Sequence, residues 1–209
     1  MKIVKDHYFK KAKNEGYSAR SVYKLKEINQ KYRLLKQGYQ VLDLGCYPGS
    51  WMQYISNEIG PNGLVVGVDQ TQLTMSLASN MRFIHSDIYK LEHDPFSEYG
   101  SKFDLICSDM APKTTGIKGV DTERSVQLCM QALYIASQSL KKGGSVLVKV
   151  LQGAAQDQLV KQMKDQFISL KRMKPKSSRS ESKEIFFIGA HQKQLTLSGS
   201  YDHNIECQN

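Results

Sequence analysis

The stretch 41–51, which reads V-L-D-L-G-C-Y-P-G-S-W, restricts the possible folds of this chain more than any other segment. Residues 40–44 are almost all apolar, as expected of a strand covered on both faces of a parallel sheet. Gly45 permits a sharp turn, and Pro48 is suited to open the next helix because the first helical N–H would be unpaired anyway. The order strand, turn, helix therefore predicts an α/β nucleotide-binding domain, with its ligand at the carboxyl end of the strand.

Further apolar runs predict six more strands and complete a doubly wound, mostly parallel, seven-stranded sheet. These strands are predicted at 64–69, 81–87, 103–109, 145–150, 169–173 and 183–189. Helical periodicity is found at 51–59, 121–140 and 154–167, and 113–120 is predicted to be a loop over the site. Ser18 is predicted to cap an earlier helix that runs to about Arg33, with Val22, Leu25 and Ile28 on its buried face.

The positive charge of the chain is concentrated in two segments. The net charge is +9, and residues 1–36 carry 11 Lys and Arg against 3 Asp and Glu. Residues 171–183 carry 6 against 1, whereas residues 37–170 carry 11 against 13. A nearly neutral body with two basic segments is typical of a protein that binds a phosphate backbone, although solvated lysine-rich faces are the alternative.

Three segments divide the chain. Residues 1–17 form a basic N-terminal arm in which Tyr8, Phe9 and Tyr17 alternate with lysines, a mixture used to bind RNA; a frayed terminus is the competing interpretation. Residues 18–190 form the α/β domain. The polar tail 191–209 lacks a strong pattern, and disorder is one interpretation of it.

Cysteine spacing and hydropathy exclude several classes of protein. Cys46, Cys107, Cys129 and Cys207 are scattered, without a C-x-x-C or a nearby His, so neither a disulfide framework nor a metal site is expected. No signal-peptide core follows Met1, and no apolar run is long enough to cross a membrane. We therefore expect a cytoplasmic monomer without membrane contact.

The glycine-rich turn excludes one common cofactor class. The dinucleotide pattern G-x-G-x-x-G is absent, because Cys46, Tyr47 and Pro48 follow Gly45, which argues against NAD and FAD. Asp69 ends the second predicted strand 24 residues after Gly45, close to the about 20 at which such folds place an acid on the ribose hydroxyls of a nucleoside. A nucleoside cofactor other than a dinucleotide is therefore predicted.

Lys149 is unusual because it interrupts an otherwise apolar strand. A buried ammonium costs several kcal/mol unless it is paired or emerges at the strand end. Lys24 lies beside the apolar stripe of its helix, and Asp109 and Glu184 lie at strand ends. The doubly wound topology brings all four residues towards one edge of the sheet, which predicts a charged cluster there.

These segments resemble one known family. The pattern D-L-G-x-x-P-G-x-W is similar to the S-adenosylmethionine loop of the FtsJ/RrmJ family of RNA 2′-O-ribose methyltransferases. The contexts S-V-Y-K-L, S-D-M-A-P, V-K-V-L-Q-G and S-K-E-I-F-F-I resemble, in the same order, the segments that supply that family's Lys-Asp-Lys-Glu tetrad. The resemblance covers residues from about 18 to 190.

The resemblance implies a Rossmann-like methyltransferase fold, S-adenosyl-L-methionine as cofactor and no metal. It implies the catalytic residues Lys24, Asp109, Lys149 and Glu184, and a cofactor site that contains Gly45, Gly49, Trp51, Asp69, Asp87 and Asp109. Asp69 would bind the ribose diol and Asp87 would lie near the adenine amine. Cys46, Tyr47 and Ser50 replace residues that are commonly small or glycine in the family, which affects the loop but not the tetrad.

The predicted reaction is methylation of a ribose 2′-hydroxyl in RNA, with a uridine of large-subunit ribosomal RNA as the expected target. The sulfonium activates the methyl group, so the enzyme must align it with the ribose oxygen and remove the hydroxyl proton. Lys149 is the candidate for that step, as a base or as a group that only orients the hydroxyl. Transfer RNA, messenger RNA cap nucleotides, a non-catalytic RNA-binding assembly factor and a small-molecule methyltransferase are the alternatives.

Overall fold

The computed structural model describes residues 7–91, 95–100, 102–179 and 181–193. The helices are α1 His7–Asn14, α2 Val22–Tyr32, α3 Ser50–Ile59, α4 Lys118–Ser139 and α5 Gln156–Gln166, with a 3-10 turn at Ser97–Tyr99. The strands are β1 Gln40–Leu44, β2 Leu64–Asp69, β3 Met81–His85, β4 Phe103–Ser108, β5 Leu140–Leu151, β6 Phe167–Met173 and β7 Glu184–Gln192. Residues 1–6 of the basic arm and 194–209 of the polar tail lie outside the described residues.

All seven strands form one sheet in the order β3-β2-β1-β4-β5-β7-β6. The strands β1 to β5 are parallel, and β7 runs antiparallel to both β5 and β6. This arrangement confirms the predicted doubly wound, mostly parallel sheet. The strand order reverses between β1 and β4, and open α/β sheets bind ligands at such a switch point.

Helices cover both faces of the sheet. Buried side chains of α2 and α3, among them Leu25 and Ile55, pack with Val41 on one face, and Ala12 of α1 belongs to the same cluster. Buried side chains of α4 and α5 pack with Leu42 on the other face. Because neighbouring residues of β1 face opposite layers, Val41, Leu42 and Leu44 are all buried, and so is the carboxyl of Asp43.

Helix α3 begins two residues later than the proline suggested. Gly49 precedes its first residue with φ 102°, a left-handed conformation that the helix cannot include, so α3 begins at Ser50. The Tyr47–Pro48 peptide is cis and lies outside the helix. The prediction that Pro48 opens the helix is therefore wrong, because the chain needs both Pro48 and Gly49 to complete the turn.

The predicted N-cap of α2 is also wrong. The helix begins at Val22, and the backbone N and Oγ of Ser18 both donate to Oε1 of Gln53, at 2.9 and 3.1 Å. Ser18 thus connects the chain to α3 instead of capping α2. The buried face of α2 matches the prediction, since Val22, Leu25 and Ile28 are all fully buried.

Candidate active site

Four charged side chains from distant parts of the chain meet at the carboxyl edge of the sheet. Lys24 comes from α2, and Asp109 is the first residue after β4. Lys149 comes from β5, and Glu184 begins β7, two residues from the β7 partner of Lys149. Ser108 is paired with Val148, so Asp109 and Lys149 stand side by side at the ends of adjacent strands.

The four charges alternate in sign around a closed ring. The Nζ atom of Lys149 lies 2.8 Å from Oδ1 of Asp109 and 3.7 Å from Oε1 of Glu184. The Nζ atom of Lys24 lies 2.8 Å from Oε2 of Glu184 and 3.6 Å from Oδ1 of Asp109. Each ammonium therefore contacts both carboxylates, and the structure brings together all four residues that the sequence predicted to meet.

Burial differs between the two lysines. The side chain of Lys149 is only 5% exposed, whereas that of Lys24 is 13% exposed. Lys149 also donates a hydrogen bond to the backbone carbonyl of Asp109. These contacts explain the lysine within an apolar strand, because a buried charge is tolerated when its hydrogen bonds and ion pairs are complete.

The two lysines also fix the charge of Glu184. Burial alone would raise the pKa of this carboxyl, but the neighbouring ammonium groups of Lys149 and Lys24 outweigh burial and hold its pKa below the ordinary value. Glu184 is consequently ionised at neutral pH. The cluster pairs two lysines with two carboxylates, so removing any one of the four would leave a partner charge uncompensated in a partly buried site.

A cleft of about 360 Å³ adjoins this cluster at the switch point. Its walls include Gly45, Asp69, Asp87 and Asp109, four of the six predicted cofactor residues. Asp69 is fixed by its neighbours, since its two carboxylate oxygens accept hydrogen bonds from the backbone N of Tyr47 and Thr71, at 2.9 and 2.8 Å. Asp109 belongs to both the cleft and the charged cluster, and so connects the two.

Gly45 is required by the shape of the cleft wall. Its φ is 75°, and a Cβ at this position would lie 2.2 Å from Cγ of Met110, the residue that follows Asp109. Both the backbone conformation and the close approach of Met110 therefore exclude a side chain. The glycine allows the turn after β1 and the segment after β4 to meet.

Gly49 and Trp51 do not line this cleft. Trp51 is 3% exposed, donates from Nε1 to the carbonyl of Ser21 at 2.9 Å and packs beside Phe186. A Cβ on Gly49 would meet the sulfur of Met75 at 2.1 Å. Trp51 thus joins α3 to the start of α2 and to β7, the elements that carry Lys24 and Glu184.

Two tyrosines also line the cleft, although the sequence did not predict them to be part of it. The side chains of Tyr47 and Tyr89 are both about half exposed. The backbone N of Tyr89 donates a hydrogen bond to Oδ1 of Asp87 at 3.0 Å. Their positions in the sequence could have indicated this, since Tyr47 lies in the turn that begins at Gly45 and Tyr89 lies two residues after Asp87. Position alone does not show, however, that these two aromatic rings are exposed to solvent.

Asp43 is a second feature that the sequence did not reveal. This carboxyl is 1% exposed, and in the described part of the chain its Oδ2 atom has no hydrogen-bond partner. Its Oδ1 atom accepts a contact of 3.6 Å from the thiol of Cys107. Burial raises the pKa of Asp43 to about 8, so this side chain is predominantly neutral at pH 7.

The described residues contain no helix that is long and apolar enough to cross a membrane. Among the same residues, no three side chains of His, Cys, Asp or Glu are grouped in a way that would hold a metal ion.

A protein-family model described as FtsJ-like methyltransferase matches residues 17–192. The chain belongs to this family. Membership agrees with the resemblance that the glycine loop and the four charged motifs predicted. The matched region includes α2 to β7, and hence every residue of the charged cluster and of the cleft.

Proteins of similar sequence or structure have names that agree with this family. The chain is 48% identical over 198 residues to "Ribosomal RNA large subunit methyltransferase E" of Oleidesulfovibrio alaskensis, which covers 93% of this chain and 95% of the relative. It is 45% identical over 201 residues to the protein of the same name from Lawsonia intracellularis, covering 95% and 100%. A solved structure described as a ribosomal RNA methyltransferase of Plasmodium falciparum superposes with a TM-score of 0.72 at 30% identity, covering 84% of this chain and 98% of that one.

Proposed function

We propose that this protein transfers a methyl group from S-adenosyl-L-methionine to a ribose 2′-hydroxyl of large-subunit ribosomal RNA. The observation that carries the proposal is the closed ring of Lys24, Asp109, Lys149 and Glu184 at the edge of the cleft. The names of the similar proteins support the ribosomal substrate. The tetrad and its family resemblance support the ribose oxygen as the atom that is methylated.

The cleft has the chemistry that the cofactor needs. Its volume of about 360 Å³ is in the range of small-ligand sites, and its carboxylates Asp69 and Asp87 can accept hydrogen bonds from ribose hydroxyls and from an adenine amine. S-adenosylmethionine, when bound, supplies a methyl group that is already activated by the sulfonium. We assign Gly45, Asp69, Asp87 and Asp109 to this site, while Gly49 and Trp51 support the surrounding elements.

Lys149 is the proposed catalytic residue. Asp109 and Glu184 hold its Nζ atom in one position, at 2.8 and 3.7 Å. A ribose hydroxyl beside this atom would be oriented by a hydrogen bond. As the oxygen attacks the methyl carbon and the carbon–sulfur bond breaks, the hydroxyl proton would pass to a neutral Lys149 or, beside a charged Lys149, to solvent. The charged lysine would stabilise the developing negative charge on oxygen, whereas a neutral lysine would accept the proton directly.

The remaining members of the ring are proposed to position Lys149. Lys24 bonds Glu184 at 2.8 Å and lies 3.6 Å from Asp109, so it balances the two carboxylates and limits their movement. Both carboxylates would otherwise be drawn towards Lys149 alone. The ring thereby fixes one ammonium against the reacting sugar, and oriented groups of this kind lower the barrier because they need no reorganisation.

The direct test is to map 2′-O-methyl groups in RNA from cells that lack this protein. Large ribosomal subunits from those cells are then incubated with the purified protein and methyl-labelled cofactor. We expect one ribose methylation to disappear from the ribosomal RNA in the cells and to return in vitro. A missing methyl group on a base, on transfer RNA or on a messenger cap would contradict the proposal.

A further inference from the structure

A second cavity, of about 650 Å³, lies between α1, α2 and the end of β6, and it shares no residue with the cofactor cleft. We call it the α2 groove. Its walls include the side chains Tyr8, Lys11, Tyr23, Lys26, Lys31 and Lys176. Four of these six are cations, so the groove suits an anionic ligand.

Within the described part of the chain, Glu27 is the only acidic residue of the groove wall, and its carboxylate already accepts two hydrogen bonds. The two carboxylate oxygens of Glu27 accept hydrogen bonds from the backbone N of Lys176 and Ser177, at 2.7 and 2.8 Å. Lys31 and Lys176 are exposed, and neither forms an ion pair with the residues that the structure describes. These two ammonium groups are therefore available to a ligand.

Aromatic rings form the floor of the groove. The rings of Tyr8 and Tyr23 lie 5.2 Å apart, and the Nζ atoms of Lys11 and Lys26 lie 5.1 and 5.3 Å from the centre of the Tyr23 ring. Lys26 is also paired with Glu15 at 2.8 Å, so it fixes the floor more than it attracts a ligand. Tyr23 is only 5% exposed, so its ring packs beneath the lysines and supports them, and the groove offers charge for a phosphate backbone more than a ring for a base.

The residues that follow β6 line the α2 groove at Lys176 and then a separate cavity beside the charged ring. The segment 174–179, after β6, is attached to α2 by Glu27 and to the turn before α2 by Arg20, which donates to the carbonyl of Ser177. A cavity of about 400 Å³ along the same segment is lined by the cations Arg20, Lys24 and Arg179 and by the carboxylates Glu181 and Glu184, and so reaches the charged ring. Lys24 and Lys31 are seven residues apart on α2, which places them about 10 Å apart on nearly the same helix face.

We propose that the α2 groove binds the phosphate backbone of the RNA beside the nucleotide that is methylated, with Lys31 and Lys176 as its main contacts. The proposal rests on the proposed function, because the path of cations leads to the ring where the target ribose would lie. An acidic protein surface would also find cations here. RNA is favoured because Arg20 and Arg179 line the neighbouring cavity, which reaches the charged ring.

The test uses the full chain and a fluorescein-labelled single-stranded RNA of about 16 nucleotides, long enough to fill one such site. The variant Lys31→Gln/Lys176→Gln removes both contacts. Its matched control is Lys161→Gln/Lys164→Gln, which removes two exposed lysines of α5, in the opposite helical layer. Fluorescence anisotropy at several salt concentrations gives the affinity of each protein for RNA.

We expect the groove variant to bind RNA more weakly and with a salt slope shallower by about 1.4, since each phosphate contact of a single strand contributes about 0.7. We also expect its KM for RNA to rise several-fold with kcat unchanged. The control should match the wild type. Equal losses of RNA affinity in both variants would show that only the net charge of the protein matters, and would overturn the proposal. Unchanged RNA binding with lower activity on assembled subunits would indicate a protein partner and also overturn it.

A second measurement requires no variant. Bound RNA should protect Lys31 and Lys176 from acetylation several-fold in the wild-type protein, whereas Lys161 and Lys164 should react as before. Unchanged reactivity of Lys31 and Lys176 would contradict the proposal. Anisotropy and protection need no catalysis, so they remain informative if methyl transfer itself is absent and the proposed function fails.

Discussion

At the scale of single residues, Lys149 is explained by its partners and not by its neighbours in sequence. The strand around it is buried, and an unpaired ammonium there would be strongly destabilising. Asp109, at 2.8 Å, and Glu184, at 3.7 Å, come from other strand ends and supply the compensating charge. The same contacts that stabilise the fold thus hold the proposed catalytic group in place.

Replacing Lys149 by Ala should abolish most methyl transfer. We expect kcat to fall by about 10²–10⁴, the usual contribution of a positioned acid or base. The dissociation constant for S-adenosylmethionine should stay within a few-fold, because Lys149 contacts the edge of the cleft and not Asp69 or Asp87. Turnover with methyl-labelled cofactor and calorimetric cofactor titration measure the two effects, with Lys161→Ala as control. Unchanged kcat would reject the role.

Asp43 should make the fold less stable as the pH rises. Burial raises its pKa to about 8 in the folded chain, so between about pH 4 and pH 8 the folded state binds a proton that the unfolded state has lost. The free energy of unfolding therefore falls over this window. In Asp43→Asn this fall should be absent, and the variant should gain stability relative to the wild type as the pH increases.

Chemical denaturation at several pH values measures this difference. Asp157→Asn, which removes an exposed carboxylate at the start of α5, provides the control. Parallel pH profiles for the wild type and Asp43→Asn would contradict the interpretation that Asp43 is neutral at pH 7.

The site residues that could be predicted from the sequence alone are those whose chemistry is unusual for their position. Lys149 was recognised because a charge interrupted an apolar strand, and Asp69 because it ended one. Trp51 was assigned to the cofactor by resemblance, but its indole is buried against Ser21 and Phe186. Burial of a large side chain depends on which distant element covers it, and that information is not local.

At the scale of secondary-structure elements, the turn after β1 determines the shape of the cleft. Gly45→Ala should weaken cofactor binding and destabilise the fold by about 1–3 kcal/mol, because the new Cβ would collide with Met110 and its φ of 75° is strained. Gly38→Ala is a matched control, since Gly38 has a φ of 79° and nothing within 4 Å of the added carbon.

Thermal unfolding and cofactor titration of the two alanine variants separate the two causes. Strain in the backbone should appear in both, whereas the loss of cofactor affinity should appear in Gly45→Ala alone. Equal cofactor affinity in the two variants would show that Met110 moves aside without cost.

Trp51 should act through α2 and not through the cofactor. Trp51→Phe keeps a ring beside Phe186 but loses the hydrogen bond to Ser21, at the start of the helix that carries Lys24. The lost hydrogen bond should lower the free energy of unfolding by about 1 kcal/mol. Because Lys24 is then held less firmly, kcat should fall, with an unchanged dissociation constant for S-adenosylmethionine. Steady-state kinetics and calorimetry distinguish this from a cofactor contact, for which cofactor affinity would fall instead.

The strands were easier to predict from sequence than the helix starts. The apolar residues of β1 and β2 are buried on both faces of the sheet, so the limits of both strands were predicted to the residue. The start of α2 depended on Ser18, whose partner Gln53 is 35 residues away. Likewise, α3 began after Gly49 because that residue adopts a left-handed φ, which the proline before it did not reveal.

At the scale of the whole molecule, the cofactor cleft and the α2 groove are two surfaces of different charge. The cofactor cleft carries the carboxylates Asp69 and Asp87 and lies at the switch point of the sheet. The α2 groove and the neighbouring cavity contain basic residues from both of the basic regions of the sequence. Folding joins these two regions through Glu27 and Arg20, which turns two basic segments into one surface.

This separation predicts that salt affects the two ligands differently. If Arg20, Arg179, Lys31 and Lys176 each contact one phosphate, raising the salt from about 50 to about 200 mM should weaken RNA binding about 50-fold, because four contacts give a slope of about −2.8. The affinity for S-adenosylmethionine should change less than about twofold, since it does not depend on the release of counterions from a polyanion. Anisotropy with labelled RNA and calorimetry with the cofactor, in the same buffers, measure both slopes. RNA affinity that ignores salt would mean that the basic surface does not contact phosphates.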